Sequence, residues 1–215
     1  MKLVIGNKNY SSWSLRPWLF LSVHGLPFEE VRIALDEETT AAQMALHTEA
    51  GKVPVLHDDG LMVWDSLAIC EYVSEQYLHG KGWPADTRTR ALARSYSAEM
   101  HSGFFEIRSK LPMNCRASGR KVALDPALQK DIARIDQIWS RLRAEHQDKG
   151  PWLFGEFSIT DCMFAPVCSR FATYGIQVSA LASTYAQYVL THEKMLLWIA
   201  QGRAETETIK ADEAG

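Results

Sequence analysis

Tyr10-Ser11-Ser12-Trp13-Ser14-Leu15-Arg16-Pro17-Trp18 puts three hydroxyls within four residues, between an apolar run at residues 3–5 and an apolar-rich segment at 15–23. The run suits a buried strand and the segment a helix. A strand, a hydroxyl-rich turn and a helix N-terminus make a place that holds negative charge. Unpaired backbone N–H groups point out of the helix start, the macrodipole adds partial positive charge, and Ser11, Ser12 and Ser14 add donors. One serine suffices to cap the helix, and Ser14 is best placed for it. Three exceed that need, and the surplus hydroxyls are candidates to meet an anion.

Other chemistries find less support. Cys70, Cys115, Cys162 and Cys168 contain no C-x-x-C pair and read as buried small hydrophobes in a reducing compartment. The seven histidines are scattered, none at metal-ligand spacing, so no metal is expected. His57-Asp58-Asp59 is the nearest cluster, but Asp59-Gly60 between two apolar runs is a hairpin signal. The 215 residues are 47% hydrophobic and 23% charged with a net charge of −3, an ordinary globular composition without an electrostatic footprint for nucleic acid or an anionic membrane. No apolar run is long enough to span a bilayer and the N-terminus lacks signal-peptide features, which gives the expectation of a cytoplasmic protein.

The elements that must position the serines follow in order. After the first helix, residues 30–35 alternate as a half-buried strand, and a weakly patterned helix covers 41–46. Val53-Pro54-Val55-Leu56, a turn at 58–60 and residues 61–64 form a hairpin, and Asp65-Ser66 opens a helix, giving βαβαββα. Gly80 to Pro84 breaks the pattern. Beyond it, Leu92, Tyr96, Met100, Phe104, Ile107 and Leu111 mark one face of a long helix begun near Asp86. Asp125-Pro126 starts another, with Leu128, Ile132, Ile135, Trp139 and Leu142 as its face. Ser158-Ile159-Thr160-Asp161 starts a third by a capping box, with Pro166 inside it, and Thr191-His192-Glu193 starts the last. No strand signal survives after residue 80. The fold class is α/β followed by all-α, with an α/β domain at 1–79, a linker at 80–85 and a helical domain at 86–215.

This order resembles the cytosolic glutathione transferases, whose N-terminal domain is thioredoxin-like and whose C-terminal domain is a helical bundle. S-S-W-S-L-R-P-W at 11–18 is similar to the S-S-C-S-W-R-V-R signature of the serine-type zeta class, G-K-V-P-V-L at 51–56 to the loop with a cis-proline, and D-S-L-A-I at 65–69 to an acidic residue followed by serine. The resemblance implies Ser11 as the catalytic residue that hydrogen-bonds the glutathione sulfur, with Ser12 and Trp13 beside it. Ser12, Ser14 and Tyr10 stand as alternatives for the sulfur contact. Val53, before a cis Pro54, would meet the cysteinyl part through its backbone, Asp65 and Ser66 the γ-glutamyl end, and Lys52 the glycyl end. Trp13 and Leu15 replace the cysteine and tryptophan of the signature. Trp13, His101, Phe105 and Arg108 are candidates for the electrophile pocket, while Phe104 falls on the core stripe.

What the resemblance implies is a transferase with glutathione as cosubstrate, in conjugation of a small electrophile or glutathione-dependent isomerisation, as in detoxification. A homodimer is also implied, with Trp64, Tyr72 and Tyr77 as plausible contacts. The alternative is a non-catalytic binding or regulatory protein of the same fold. Serines where disulfide chemistry needs cysteine disfavour a reductase.

Overall fold

The computed structural model describes residues 1–215. Strands β1 (Lys2–Ile5), β2 (Glu29–Arg32), β3 (Val55–Asp58) and β4 (Leu61–Val63) form one sheet in the order β2-β1-β3-β4. β1 and β2 are parallel, Val4 opposite Val31, so the connection between them crosses over through α1 (Ser12–Val23). β3 is antiparallel to β1, Leu3 opposite Leu56, and to β4. The β3–β4 turn has positive φ at Asp59 (44°) and Gly60 (81°), the two-residue geometry that an Asp-Gly pair favours. α2 (Thr40–Ala45) and α3 (Ser66–Leu78) complete βαβαββα. β3 begins two residues later than the V-P-V-L run, because Pro54 has no N–H to give a ladder.

The rest is helical: α4 (Thr87–Ser102), α5 (Phe105–Lys110), α6 (Pro126–His146), α7 (Ile159–Tyr174), α8 (Ala180–Thr191) and α9 (Glu193–Ala204), with 3₁₀ turns at Gln147–Lys149 and Lys210–Asp212. The single long helix expected from Asp86 is two. Gly103 is extended and Phe104 left-handed (φ 60°, ψ 45°), so the chain turns between α4 and α5. Leu92, expected on the core stripe, is instead 43% exposed. α8 was not legible beforehand as a separate element.

A single core of 42 buried residues draws on both halves, so the α/β and helical parts are packed as one body rather than as beads. A smaller cluster of Val4, Ile33, Met44 and Val55 covers the other face of the sheet. α7 is buried along its whole length except Ala172, and Pro166 sits inside it without ending it. Its start is fixed by the expected capping box. Asp161 accepts from Ser158 N–H at 2.9 Å, Leu153 N–H at 3.0 Å and the Tyr185 hydroxyl at 3.2 Å, and burial pushes its carboxyl up to about 6. This helix, anchored at its N-terminus, carries Arg170 to the β1–α1 turn.

Candidate active site

A cleft of about 620 Å³ opens between the two halves. Its α/β wall is made by Tyr10 to Trp13, by Lys52, Val53 and Pro54, and by Trp64 and Asp65; its helical wall by Arg108, Met113, Arg170 and Asp212.

At the start of α1 the cap is Ser11, not Ser14. The Ser11 Oγ accepts from Ser14 N–H at 3.4 Å. Ser14, in the third helical position, is fully buried and absent from the cleft wall. Its hydroxyl accepts from Gly6 N–H at 3.0 Å and lies 2.8 Å from that of Ser11. A hydroxyl proton rotates to suit, so Ser14 can donate to Ser11 and free the Ser11 proton for a ligand. Ser12 sits beside it, its Oγ accepting from Arg170 Nη2 at 3.0 Å, which leaves the Ser12 proton free as well. Tyr10 differs. Its hydroxyl donates to Glu213 Oε1 at 2.6 Å and accepts from Arg116 Nη2 at 2.7 Å, so only its ring serves the cleft.

Trp13 forms the wall next to the serines. The Arg16 guanidinium lies 4.2 Å and that of Arg108 4.8 Å from its ring centroid, and the His101 ring meets it edge-on at 5.3 Å. Arg108 also closes the end of α4, donating to the carbonyls of Gly103 (2.9 Å) and Met100. Arg170 holds the carbonyls of Leu111 (2.5 Å) and Arg108 (3.2 Å). Burial pushes Arg16 down to about 9 and Arg170 down to about 10, with Arg108 adding like-charge repulsion to each. None of the three has a carboxylate within ion-pairing distance, and Nε and Nη2 of Arg16 have no partner.

On the opposite side, the Val53–Pro54 bond is cis as expected, and the N–H and C=O of Val53 make no hydrogen bond within the chain. Lys52 is exposed beside it. Asp65 caps α3 by accepting from Leu67 N–H at 3.1 Å, and its other oxygen is 2.9 Å from His101 Nε2. Ser66 lies behind Asp65, fully buried, within 3.5 Å of Arg16 Nη1. Two expected pocket residues stand elsewhere. His101 is turned to Asp65 and Trp13 and does not line the cleft, and Phe105 is 72% exposed outside it, because the left-handed Phe104 takes the buried position instead.

Sequence reasoning missed Arg16, Arg170, Trp64, Met113 and Asp212. For the two arginines a signal existed. Each is a charged residue set in a largely apolar helix, where a charge is rarely buried without a role. No group of three or more His, Cys, Asp or Glu side chains is arranged to hold a metal ion.

The N-terminal domain of glutathione S-transferases matches residues 10–76, and their C-terminal domain matches residues 125–190. The chain belongs to the glutathione S-transferase family. A solved glutathione transferase homologue from Burkholderia GL BGR1 with bound glutathione superposes with a TM-score of 0.71 at 26% identity, covering 95% of this chain and 98% of that one. A bacterial maleylpyruvate isomerase of the zeta class has the same fold, with a TM-score of 0.73 at 20% identity, over 96% of this chain and 100% of its own. Among curated proteins, a stringent starvation protein A homologue of Pasteurella multocida (strain Pm70) is 24% identical over 166 residues, 77% of this chain and 73% of the relative.

Proposed function

We infer that this glutathione S-transferase family member binds glutathione along Val53 and Asp65 and holds its sulfur as thiolate at the start of α1, for attack on a small electrophile. The observation that carries the reading is the charge imbalance of the cleft floor. Arg16, buried behind it, and Arg108 and Arg170 in its wall gather at Trp13 and Ser12 with no carboxylate in ion-pair contact, Asp65, Asp131 and Asp212 answering them only from longer range. A bound anion relieves that cost. A free thiol titrates near 8.5, and keeping it ionised at pH 7 takes a fall of about two units, or roughly 2.7 kcal/mol. One charged hydrogen bond of about 1.5–3 kcal/mol and a helix N-terminus of roughly 0.3–1 kcal/mol suffice without a general base.

In this assignment Ser11 donates to the sulfur, Ser12 stands next to it polarised by Arg170, and Trp13 walls the cleft. The N–H and C=O of Val53 pair with the cysteinyl backbone as an added strand does. Asp65 takes the glutamyl ammonium, and the N-terminus of α3 serves the glutamyl carboxylate through the backbone N–H of Ser66, whose side chain is buried behind it. Lys52 reaches the glycyl carboxylate. The thiolate then forms a C–S bond to the electrophile, completed by loss of a leaving group in conjugation or by its own later expulsion in isomerisation. Arg108 and Arg170 on the helical wall favour an electrophile bearing a carboxylate or carbonyl oxygen. The serine-type zeta class is the nearest pattern, and a homodimer is part of the proposal, with exposed Leu61, Trp64 and Leu92 as apolar surface for it.

A non-catalytic reading draws on the relatives named stringent starvation protein A homologues. Retention on immobilised glutathione together with conjugation of a generic chloronitrobenzene separates the two. Retention without turnover of that compound or of carboxylate-bearing electrophiles favours the binding role, and failure to bind glutathione overturns both.

A further inference from the structure

The turn that presents Ser11 and Ser12 is held from a distant part of the chain. Within the turn, Asn7 C=O accepts from Tyr10 N–H at 3.2 Å and Ser11 N–H at 2.8 Å. The preceding N–H groups, of Lys8 and Asn9, find no backbone acceptor. Both end on one carboxylate: Glu205 Oε1 accepts from Lys8 N–H at 2.8 Å and Oε2 from Asn9 N–H at 3.0 Å. Two successive backbone N–H groups converging on an anion form a nest, here closed by a side chain that is 8% exposed and almost two hundred residues away in sequence.

The segment after α9 reinforces the grip. Arg116 donates to the carbonyl of Glu205 and the carbonyl of Glu207, each at 2.6 Å, and to the Tyr10 hydroxyl at 2.7 Å. Tyr10 in turn donates to Glu213. The last turn of α9 lies directly on the same backbone, since a Cβ on Gly202 would stand 3.0 Å from Asn9 N and from the Lys8 carbonyl carbon. The residues of the turn held in this way, Lys8, Asn9 and Tyr10, all lie within three residues of Ser11.

We propose that residues 205–213 are a strap that sets the catalytic turn, with Glu205 as its principal positioning residue for thiol activation. The proposal rests on the reading of the site given above and extends it to a part of the chain of which only Asp212 lines the cleft. A hydrogen bond to the sulfur depends steeply on placement, so a turn that can shift gives up part of the stabilisation of the thiolate while the peptide contacts at Val53 and Asp65 stay in place. Glutathione affinity and thiol activation therefore come apart when the strap is loosened.

Glu205→Gln is the test, because the amide keeps the shape but offers one acceptor where two N–H groups need one each. The bound glutathione thiol is titrated by its thiolate absorbance in the parent protein and the variant. In Glu205→Gln its pKa is expected to rise by about one unit, kcat at pH 7 to fall roughly threefold and recover near pH 9, and glutathione affinity to stay within about threefold. Glu207→Gln is the control. Its side chain pairs with Arg32 at 2.7 Å, as that of Glu205 does at 3.6 Å, but does not touch the turn, so the thiol pKa stays at the parent value. If Glu205→Gln does not fold, Glu213→Gln, acting on the turn through Tyr10, is titrated in its place. A thiol pKa equal to the parent's in the variant that folds overturns the inference. A parent that holds glutathione with an ordinary thiol overturns the reading of the site and this inference with it, whereas a depressed parent pKa matched by the variant overturns the inference alone.

Discussion

The two sides of the cleft are built in different ways. On the peptide side, the Val53 backbone, Pro54 and Asp65 are set by short-range devices: a proline, and an aspartate that caps its own helix. On the sulfur side, Ser11 and Ser12 gain their surroundings from α5, α7 and the segment after α9, through Arg108, Arg170 and Glu205. The first side is a local fold feature, to which the proposed function gives recognition of the peptide. The second is assembled from residues more than ninety positions apart, and it is where charge is concentrated and burial expensive. In the proposed function, recognition and activation are thus expected to be separable.

Substitutions sharpen that separation. The largest effect is expected from Arg170→Met, which takes the charged donor from Ser12. Turnover at pH 7 should fall about ten- to hundredfold, the equivalent of one charged hydrogen bond, while glutathione binding measured by calorimetry changes less than about threefold. A comparable loss of binding would show that the two sides are one. Next in size is Asp65→Asn on the peptide side. Asparagine still caps α3, but the charge facing the glutamyl ammonium is gone, so affinity should weaken roughly five- to tenfold with the bound-thiol pKa unchanged. Smallest is Phe105→Ser. With the side chain 72% exposed outside the cleft, stability measured in urea should move by no more than about 0.5 kcal/mol and turnover by less than about twofold.

The same division decides what could be read from the sequence. The element order through α3, the Asp59-Gly60 turn, the cap of α6 at Asp125 and the capping box at Ser158 were legible because each is a local pattern of polar and apolar residues. So was Asp65 at the start of α3, whereas the cis Val53–Pro54 bond was expected from the family resemblance. The break at Gly103-Phe104 was not legible, since the apolar spacing of three and four runs straight through it and only the backbone conformation of Phe104 ends the helix. Ser14 was mistaken for the cap because the hydroxyl nearest the apolar segment suggested it, whereas the chain enters the helix three residues earlier. Glu205 carries no local mark of its role, and Arg170 only that of a charge set inside a largely apolar helix. Their significance comes from the packing of α7 and the last residues against a turn near the N-terminus, which no short window contains.

The central claim is that the start of α1 ionises the glutathione sulfur, and the most direct measurement is the thiolate absorbance of the bound tripeptide from pH 5 to 10 in the parent protein, Ser11→Ala and Ser12→Ala. The parent is expected to hold the thiol about two units below its free value, near 6.5. Because a hydrogen bond favours the charged form, its removal raises the pKa: Ser11→Ala should climb by about one to two units and regain rate at high pH, with Ser12→Ala showing a smaller rise. A parent thiol that titrates like free glutathione, or a Ser11→Ala curve that overlays the parent's, would contradict the account.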